Sequence, residues 1–284
     1  RSFWILDNIT PLRQISQQLA AQSSILFKPQ TAIRVRWDMY ADTPVPQEEP
    51  AGQNPPDGAV IDYYVKEKAS AVVLEILDLK GKKIRTYKNT DTLYQIGDVN
   101  IPHYWIRPQQ ILSAAAGSHR FLWDMKYTPV NVPPSYPISA TYMNTEPDQT
   151  SPWVMPGTYI ARLTVDGNVF EQQFTVKMDP RVKTPTAVLQ QQHDLSVQCY
   201  EGRKECMNIL EEINQYKPKA QHQLIKEIET SQAGFSRLMN SFASVHAALQ
   251  DSDMPPTTQQ INAAKELQQQ LNELKKKWNE IKKR

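Results

Sequence analysis

The run PGTYIARLTVDGNVFEQQFTVKM, residues 156–178, decides how most of this 284-residue chain is read. Tyr159, Ala161, Leu163 and Val165 alternate with polar neighbours, Asp166-Gly167 interrupts, and Phe170, Phe174, Val176 and Met178 return. A period of two puts each set on one face of a strand. Asp-Gly between two such runs is the signature of a type I′ hairpin, because both turn residues need positive φ. Residues 156–178 therefore predict an antiparallel hairpin with one buried face.

Upstream, the same pattern recurs in short pieces. His119 to Tyr127 alternates, with Phe121, Trp123 and Met125 on one face and Arg120, Asp124 and Lys126 on the other. Ala59–Val65, Ala71–Leu77 and Lys83–Lys88 read as strands, the last two joined through Gly81 in a left-handed turn. Ile25–Phe27 and Ala32–Trp37 are shorter candidates, residues 1–7 read as a strand, and Ile9–Leu19 as a short helix. Residues 42–58 form a Pro-rich linker ending in the breaker cluster Asn54-Pro55-Pro56-Asp57-Gly58. Six or seven short antiparallel strands at this spacing predict a sandwich of about immunoglobulin size. Pro156-Gly157-Thr158-Tyr159 resembles the approach to a tyrosine corner.

Downstream, the period changes to three and four. Leu224, Ile228, Phe235, Leu238, Phe242, Val245 and Leu249 make one stripe, with Ser231 as its polar member, and Ala264, Leu267, Leu271, Leu274, Trp278 and Ile281 another. An earlier helix buries Val188, Leu195, Cys199, Cys206, Ile209 and Ile213, opening with Thr184 as cap and Pro185 in the first turn. Pro218 and the stretch 251–256 mark the turns, with Thr257 or Thr258 as the third cap. Long amphipathic helices with short connections pack antiparallel. The expectation is an α+β multidomain chain: an immunoglobulin/fibronectin-III-like antiparallel β-sandwich over residues 21–182, then an antiparallel three-helix bundle over 183–284.

A net charge of +2 gives little long-range attraction for nucleic acid or anionic membrane, so no nucleic-acid partner is expected. The basic end, Lys275-Lys276-Lys277 with Lys282, Lys283 and Arg284, reads as a solvated helix face. No run reaches the roughly 18 apolar residues of a membrane span. Cys199 and Cys206 stand about 10 Å apart along a helix, too far for a disulfide, and read as small buried hydrophobes. The chain opens in mid-pattern at Arg1 and reads as the carboxy-terminal piece of something longer.

Reactive patterns are sparse. The carboxylates Asp38, Asp42, Asp62, Glu75 and Asp124 are scattered over separate strands and linkers, whereas glycoside hydrolysis needs two facing one bond. Asp124 and Glu75 read as exposed strand carboxylates. His103, His119, His193, His222 and His246 form no zinc spacing, and His246 reads as a partly buried packing residue. No phosphate-binding loop or nucleophile elbow is present. No catalytic residue, metal or cofactor is assigned. The long loop 128–156 carries Tyr136, Tyr142 and Trp153 among prolines, and Trp105 lies in another Pro-flanked stretch. Preorganised aromatic faces suit a sugar ring. The favoured reading is nevertheless that these four residues pack, folding back over the open end of the sandwich or the helix junction.

Several motifs together resemble one family. Arg1-Ser2-Phe3-Trp4-Ile5-Leu6-Asp7 with Thr10-Pro11-Leu12-Arg13 is similar to the closing strand of large β-propellers with BNR or sortilin-like (VPS10-type) repeats. Asn54 to Ala59, Leu74 to Lys82, Arg120 to Asp124, Pro156 to Tyr159, Met178 to Arg181 and Pro256-Thr257 match the segments that follow such propellers. The resemblance implies that residues 1–20 are the remnant of a propeller's closing strand and a linker. It further implies a glycosyl hydrolase-like, exported bacterial protein at the periplasm or cell surface, with any active centre upstream. On that reading the segment is a non-catalytic accessory part, bracing the propeller of the same polypeptide or holding a glycan or protein. The alternatives are a carbohydrate-binding module, or part of a glycoside hydrolase whose site lies in the propeller.

Overall fold

The computed structural model describes residues 8–36, 48–50, 56–136 and 143–284. The strand expected at residues 1–7 and most of the Pro-rich linker lie outside the described residues. Within them the chain is an α+β fold with two sheets and four α-helices, three of them long. It divides into two compact units. Residues 1–128, 132–148 and 156–181 form the first, and 129–131, 149–155 and 182–284 the second.

In the first unit a short helix α1 (Gln17–Ala20) is capped by the Ser16 hydroxyl, which accepts from the Leu19 amide at 3.2 Å. The expected helix over residues 9–19 is thus reduced to this turn and a 3₁₀ turn at Leu12–Gln14. The strands are β1 (Ser24–Leu26), β2 (Ala32–Arg34), β3 (Ala59–Val65), β4 (Val72–Asp78), β5 (Lys83–Lys88), β6 (Gly117–Trp123), β7 (Gly157–Val165) and β8 (Asn168–Met178). One sheet has the order β1-β3-β6 and the other β2-β8-β7-β4-β5. The hairpin that opened the reading is present: Val165 faces Asn168, and Asp166 and Gly167 have φ of 46° and 86°. The Asp166 carboxylate also accepts from the amides of Ser70 and Ala71, tying the turn to the start of β4.

The second sheet departs from the antiparallel expectation at one edge, where β2 pairs parallel with β8. A parallel partner needs a long return path, and the chain between Arg34 and Asn168 supplies one. Burial follows the alternation. Ala59, Ile61, Tyr63 and Val65 of β3 and Ala161, Leu163 and Val165 of β7 are buried. Trp123 at the end of β6 meets Tyr159 and Phe174 of the other sheet at ring distances of 5.6 and 5.9 Å. Each such side chain contributes about 1.5–3 kcal/mol by leaving water.

The second unit contains α2 (Thr186–Tyr216), α3 (Ile225–Gln250) and α4 (Thr258–Ile281). Their stripes share one core including Ile213, Ile228, Phe235, Phe242, Leu271 and Trp278. Gln192, early in α2, donates to the Leu249 carbonyl at the end of α3, and Gln232, early in α3, to Asn214 at the end of α2. α3 therefore runs opposite to α2. Thr257 forms a reciprocal capping box with Gln260 at the start of α4. Thr184 does not cap α2. Its hydroxyl donates instead to the Asp253 carbonyl at 2.6 Å, and Pro185 precedes the helix with no side-chain cap. Cys199 and Cys206 are free and buried, and burial pushes both thiols up to about 12. Among the described residues no helix is long and apolar enough to cross a membrane.

Candidate functional site

A buried polar cluster of the first unit begins where β6 stops. Trp123 is fully buried, and strand alternation would turn Asp124 and Lys126 to solvent. Met125 instead adopts a left-handed backbone, φ 57°, with its side chain enclosed. Such a conformation is rare without glycine and is held here by its surroundings. The Trp123 indole N–H donates to the Lys126 carbonyl at 3.1 Å, and the Lys126 amide donates to Asp124 Oδ1 at 3.2 Å. The chain curls, and Lys126 ends 6% exposed. The expected outward face for Asp124 and Lys126 is thereby corrected.

Lys126 Nζ donates to Glu146 Oε2 at 2.7 Å, while Arg107 Nη1 donates to Glu146 Oε1. Arg107 Nη2 reaches Asp57 Oδ2 at 2.8 Å and its Nε reaches Asn144 Oδ1 at 2.8 Å. The backbone fixes this fork: the Arg107 amide donates to the Thr145 carbonyl and the Thr145 amide to the Trp105 carbonyl. Asp57 is held by its neighbour. Gly58 has φ 121° and lies directly against the Trp123 carbonyl, where a side chain has no room.

Two carboxyls here are driven in opposite directions. Burial alone would raise Glu146, but Lys126 and Arg107 outweigh it and hold the group below the usual carboxylate range. Burial pushes Asp124 up, and Lys126 and Arg85 offset this only in part, while the Glu146 charge adds to it. Opposed shifts are the electrostatic profile of an acid–base pair. Yet both Glu146 oxygens are held by cations, so the cluster's present work is to join segments 20 to 50 residues apart in sequence. Glu75, also read as exposed, is instead mostly covered and faces Lys83 and Arg162.

A shallow depression of about 280 Å³ opens beside Arg107, lined also by Ile96, His103, Tyr104, Gln109 and Met143. Of the four aromatic residues expected to bind a ligand, the three described ones, Trp105, Tyr136 and Trp153, are not in its lining. Trp105 and Tyr136 pack around Ile101 and Ile106 in a small core, where the Tyr136 and Tyr94 hydroxyls lie 3.0 Å apart. Trp153 is 5% exposed and belongs to the second unit, its amide donating to Gln250 Oε1 at 2.9 Å. Tyr142 lies outside the described residues. The structure thus unites Trp105 with Tyr136 within the first unit, while Trp153 belongs to the second. Arg107, Asp57, Asn144, Glu146 and Lys126 were not singled out from sequence, since separations of 20 to 50 residues carry no periodic signal.

Elsewhere, His246 is 2% exposed, more deeply buried than its position beside the α3 stripe implied. Among the described residues no group of three or more His, Cys, Asp or Glu is placed to hold a metal ion. Comparison of the chain with protein-family models, curated proteins and solved structures returned no match.

Proposed function

We propose that this chain is a non-catalytic accessory segment of a larger exported protein. In that reading the first unit is an immunoglobulin/fibronectin-III-like sandwich and the second an antiparallel three-helix bundle. The BNR/sortilin-like motifs make a preceding β-propeller the natural partner within the same polypeptide, with a periplasmic or surface location. The sandwich reading is supported by the ring contacts of Trp123 with Tyr159 and Phe174 across the two sheets. The bundle reading is supported by one core shared by all three long helices.

One observation carries the non-catalytic reading. The most reactive-looking groups, Glu146 and Arg107, are committed to each other and to Lys126, Asp57 and Asn144, which staples distant loops. Scaffolding is the chemistry such a network performs. The purified 284-residue chain, offered aryl glycosides and model peptides, is expected to give no turnover above buffer. Turnover that disappears in Asp124→Asn or Glu146→Gln would overturn the reading.

A further inference from the structure

The second unit carries an open furrow between α3 and α4. The two helices run antiparallel: Gln260, early in α4, donates to the Ala248 carbonyl late in α3 at 3.0 Å, and Leu274, late in α4, meets Gly234 earlier in α3. A Cβ at position 234 would stand 3.1 Å from Leu274 Cδ1, so the missing side chain lets the leucine settle between the helices. Leu274 is half-buried there, Ala233 is exposed, and Leu238 closes the bottom. The space is about 620 Å³, and its α3 wall runs from Lys226 to Arg237, about 17 Å or three helical turns.

A furrow lies between any two packed helices, and charge sets this one apart. Elsewhere in the unit Lys275 pairs with Glu205, Lys282 with Glu212 and Arg284 with Glu227. Lys226, Arg237 and Lys277 all line the furrow and are exposed, and none has a salt-bridge partner among the described residues. Of the two carboxylates in the lining, Glu229 is taken by Lys217 at 2.9 Å. Glu273 is left against three cations, a net charge of +2 around an apolar floor.

That pattern defines its complement. Lys226 and Arg237 stand on the α3 wall and Lys277 on the α4 wall, with Ala233, Gly234 and Leu274 between them. A helix with an apolar ridge at i, i+3/i+4 and i+7 and carboxylates on both flanks matches the floor and both walls, and three turns suit such an element. A nucleic-acid strand would meet the charge and leave the apolar floor wet. Opposed charge also speeds encounter and selects against basic helices. The unit's own added segment, residues 149–155, is seated elsewhere. Its Trp153 amide binds Gln250, about 20 Å along α3 from Arg237.

We propose that the α3–α4 furrow docks an acidic amphipathic helix of a partner protein, its apolar ridge over Ala233, Gly234 and Leu274 and its carboxylates on Lys226, Arg237 and Lys277. The site goes beyond the accessory role and does not rest on it: turnover assays test that role, whereas binding tests this one. The experiment is fluorescence anisotropy of the purified chain with labelled helical peptides of about four turns. One set carries Leu and Ala at i, i+3, i+4 and i+7 with Glu on both flanks. A second set has Lys in place of Glu, and a third keeps the Glu composition in scrambled order. Oligodeoxythymidine and phosphatidylserine vesicles serve as other anionic partners. The ordered Glu peptides are expected to bind saturably with Kd on the order of 10 μM, about tenfold tighter than either control set. Arg237→Glu combined with Lys277→Glu should weaken them by about tenfold or more. Ala233→Tyr, which fills the floor without changing charge, should weaken them by about tenfold too. Melting should stay unchanged in each variant, because all three positions are exposed. The proposal is overturned if no ordered Glu peptide binds the folded chain, or if the Lys or scrambled sets bind equally well. It is also overturned if Ala233→Tyr leaves binding intact, or if the DNA or the vesicles bind more tightly than the peptides. A dimer in sedimentation that Ala233→Tyr dissociates would assign the furrow to a second copy of this chain and overturn it as well.

Discussion

Gly58 lies beneath the carbonyl of Trp123 so closely that a Cβ at position 58 would stand 2.4 Å from that oxygen. This one contact joins the breaker cluster before β3 to the end of β6, and it delivers Asp57 to Arg107. Two separate demands fall on the glycine, a φ of 121° and the missing side chain.

Gly58→Ala is therefore expected to destabilise the first unit by more than about 2 kcal/mol. Chemical denaturation followed by tryptophan fluorescence measures it. A loss under about 0.5 kcal/mol, the range of neutral surface changes, would show that the Trp123 carbonyl moves aside freely.

Glu146→Gln leaves Arg107 and Lys126 facing a neutral amide. The loss should be about 2–3 kcal/mol, less than for a fully enclosed pair because Arg107 is partly solvated. Adding Lys126→Met should recover part of it, a coupling that a double-mutant cycle reads directly. The sign with pH is fixed as well. Glu146 is held below its usual value in the folded chain, so its contribution is complete above the unfolded value of 4.5 and is lost as pH falls. The Gln variant should show a shallower acid limb.

His246 provides the corresponding test in the second unit. Burial, with a smaller contribution from the Arg203 charge, pushes its imidazolium down to about 4 from 6.5. The unfolded chain then binds the proton first, so stability is flat above pH 6.5 and falls between 6.5 and about 4. Roughly 3 kcal/mol at most is at stake. In His246→Gln the slope of helical melting against pH across that window should flatten. An unchanged slope would assign the acid sensitivity to other groups.

Gly202 on α2 packs against the Phe242 ring on α3, with a built Cβ 2.6 Å from the ring edge. Gly202→Ala should overpack this crossing and cost about 1–3 kcal/mol despite alanine's better helix propensity. Phe242→Leu in the same chain should relieve part of the strain, which thermal melts of the two variants and the pair will show.

Several elements were legible from residues alone because local periodicity and turn chemistry specify them. The hairpin at 157–178 needed only alternation and Asp-Gly, and α4 needed only its stripe and a threonine cap at 257 or 258, of which the structure uses Thr257. Thr184 misled, because its hydroxyl is drawn to the Asp253 carbonyl, 69 residues away. Trp153 among prolines left two roles open, a ligand face or packing; it is enclosed, and its amide bonds to Gln250.

What the sequence by itself determined is the alternation of strands and the three apolar helix stripes, since each follows from contacts a few residues apart. Only the tertiary structure decided that β2 lies parallel to β8, that Met125 turns Lys126 inward, and that Arg107 meets Asp57 and Glu146. Those outcomes depend on charges and backbone groups brought together across 20 residues or more, as in Lys126 with Glu146, where desolvation and packing rather than local propensity set the energy.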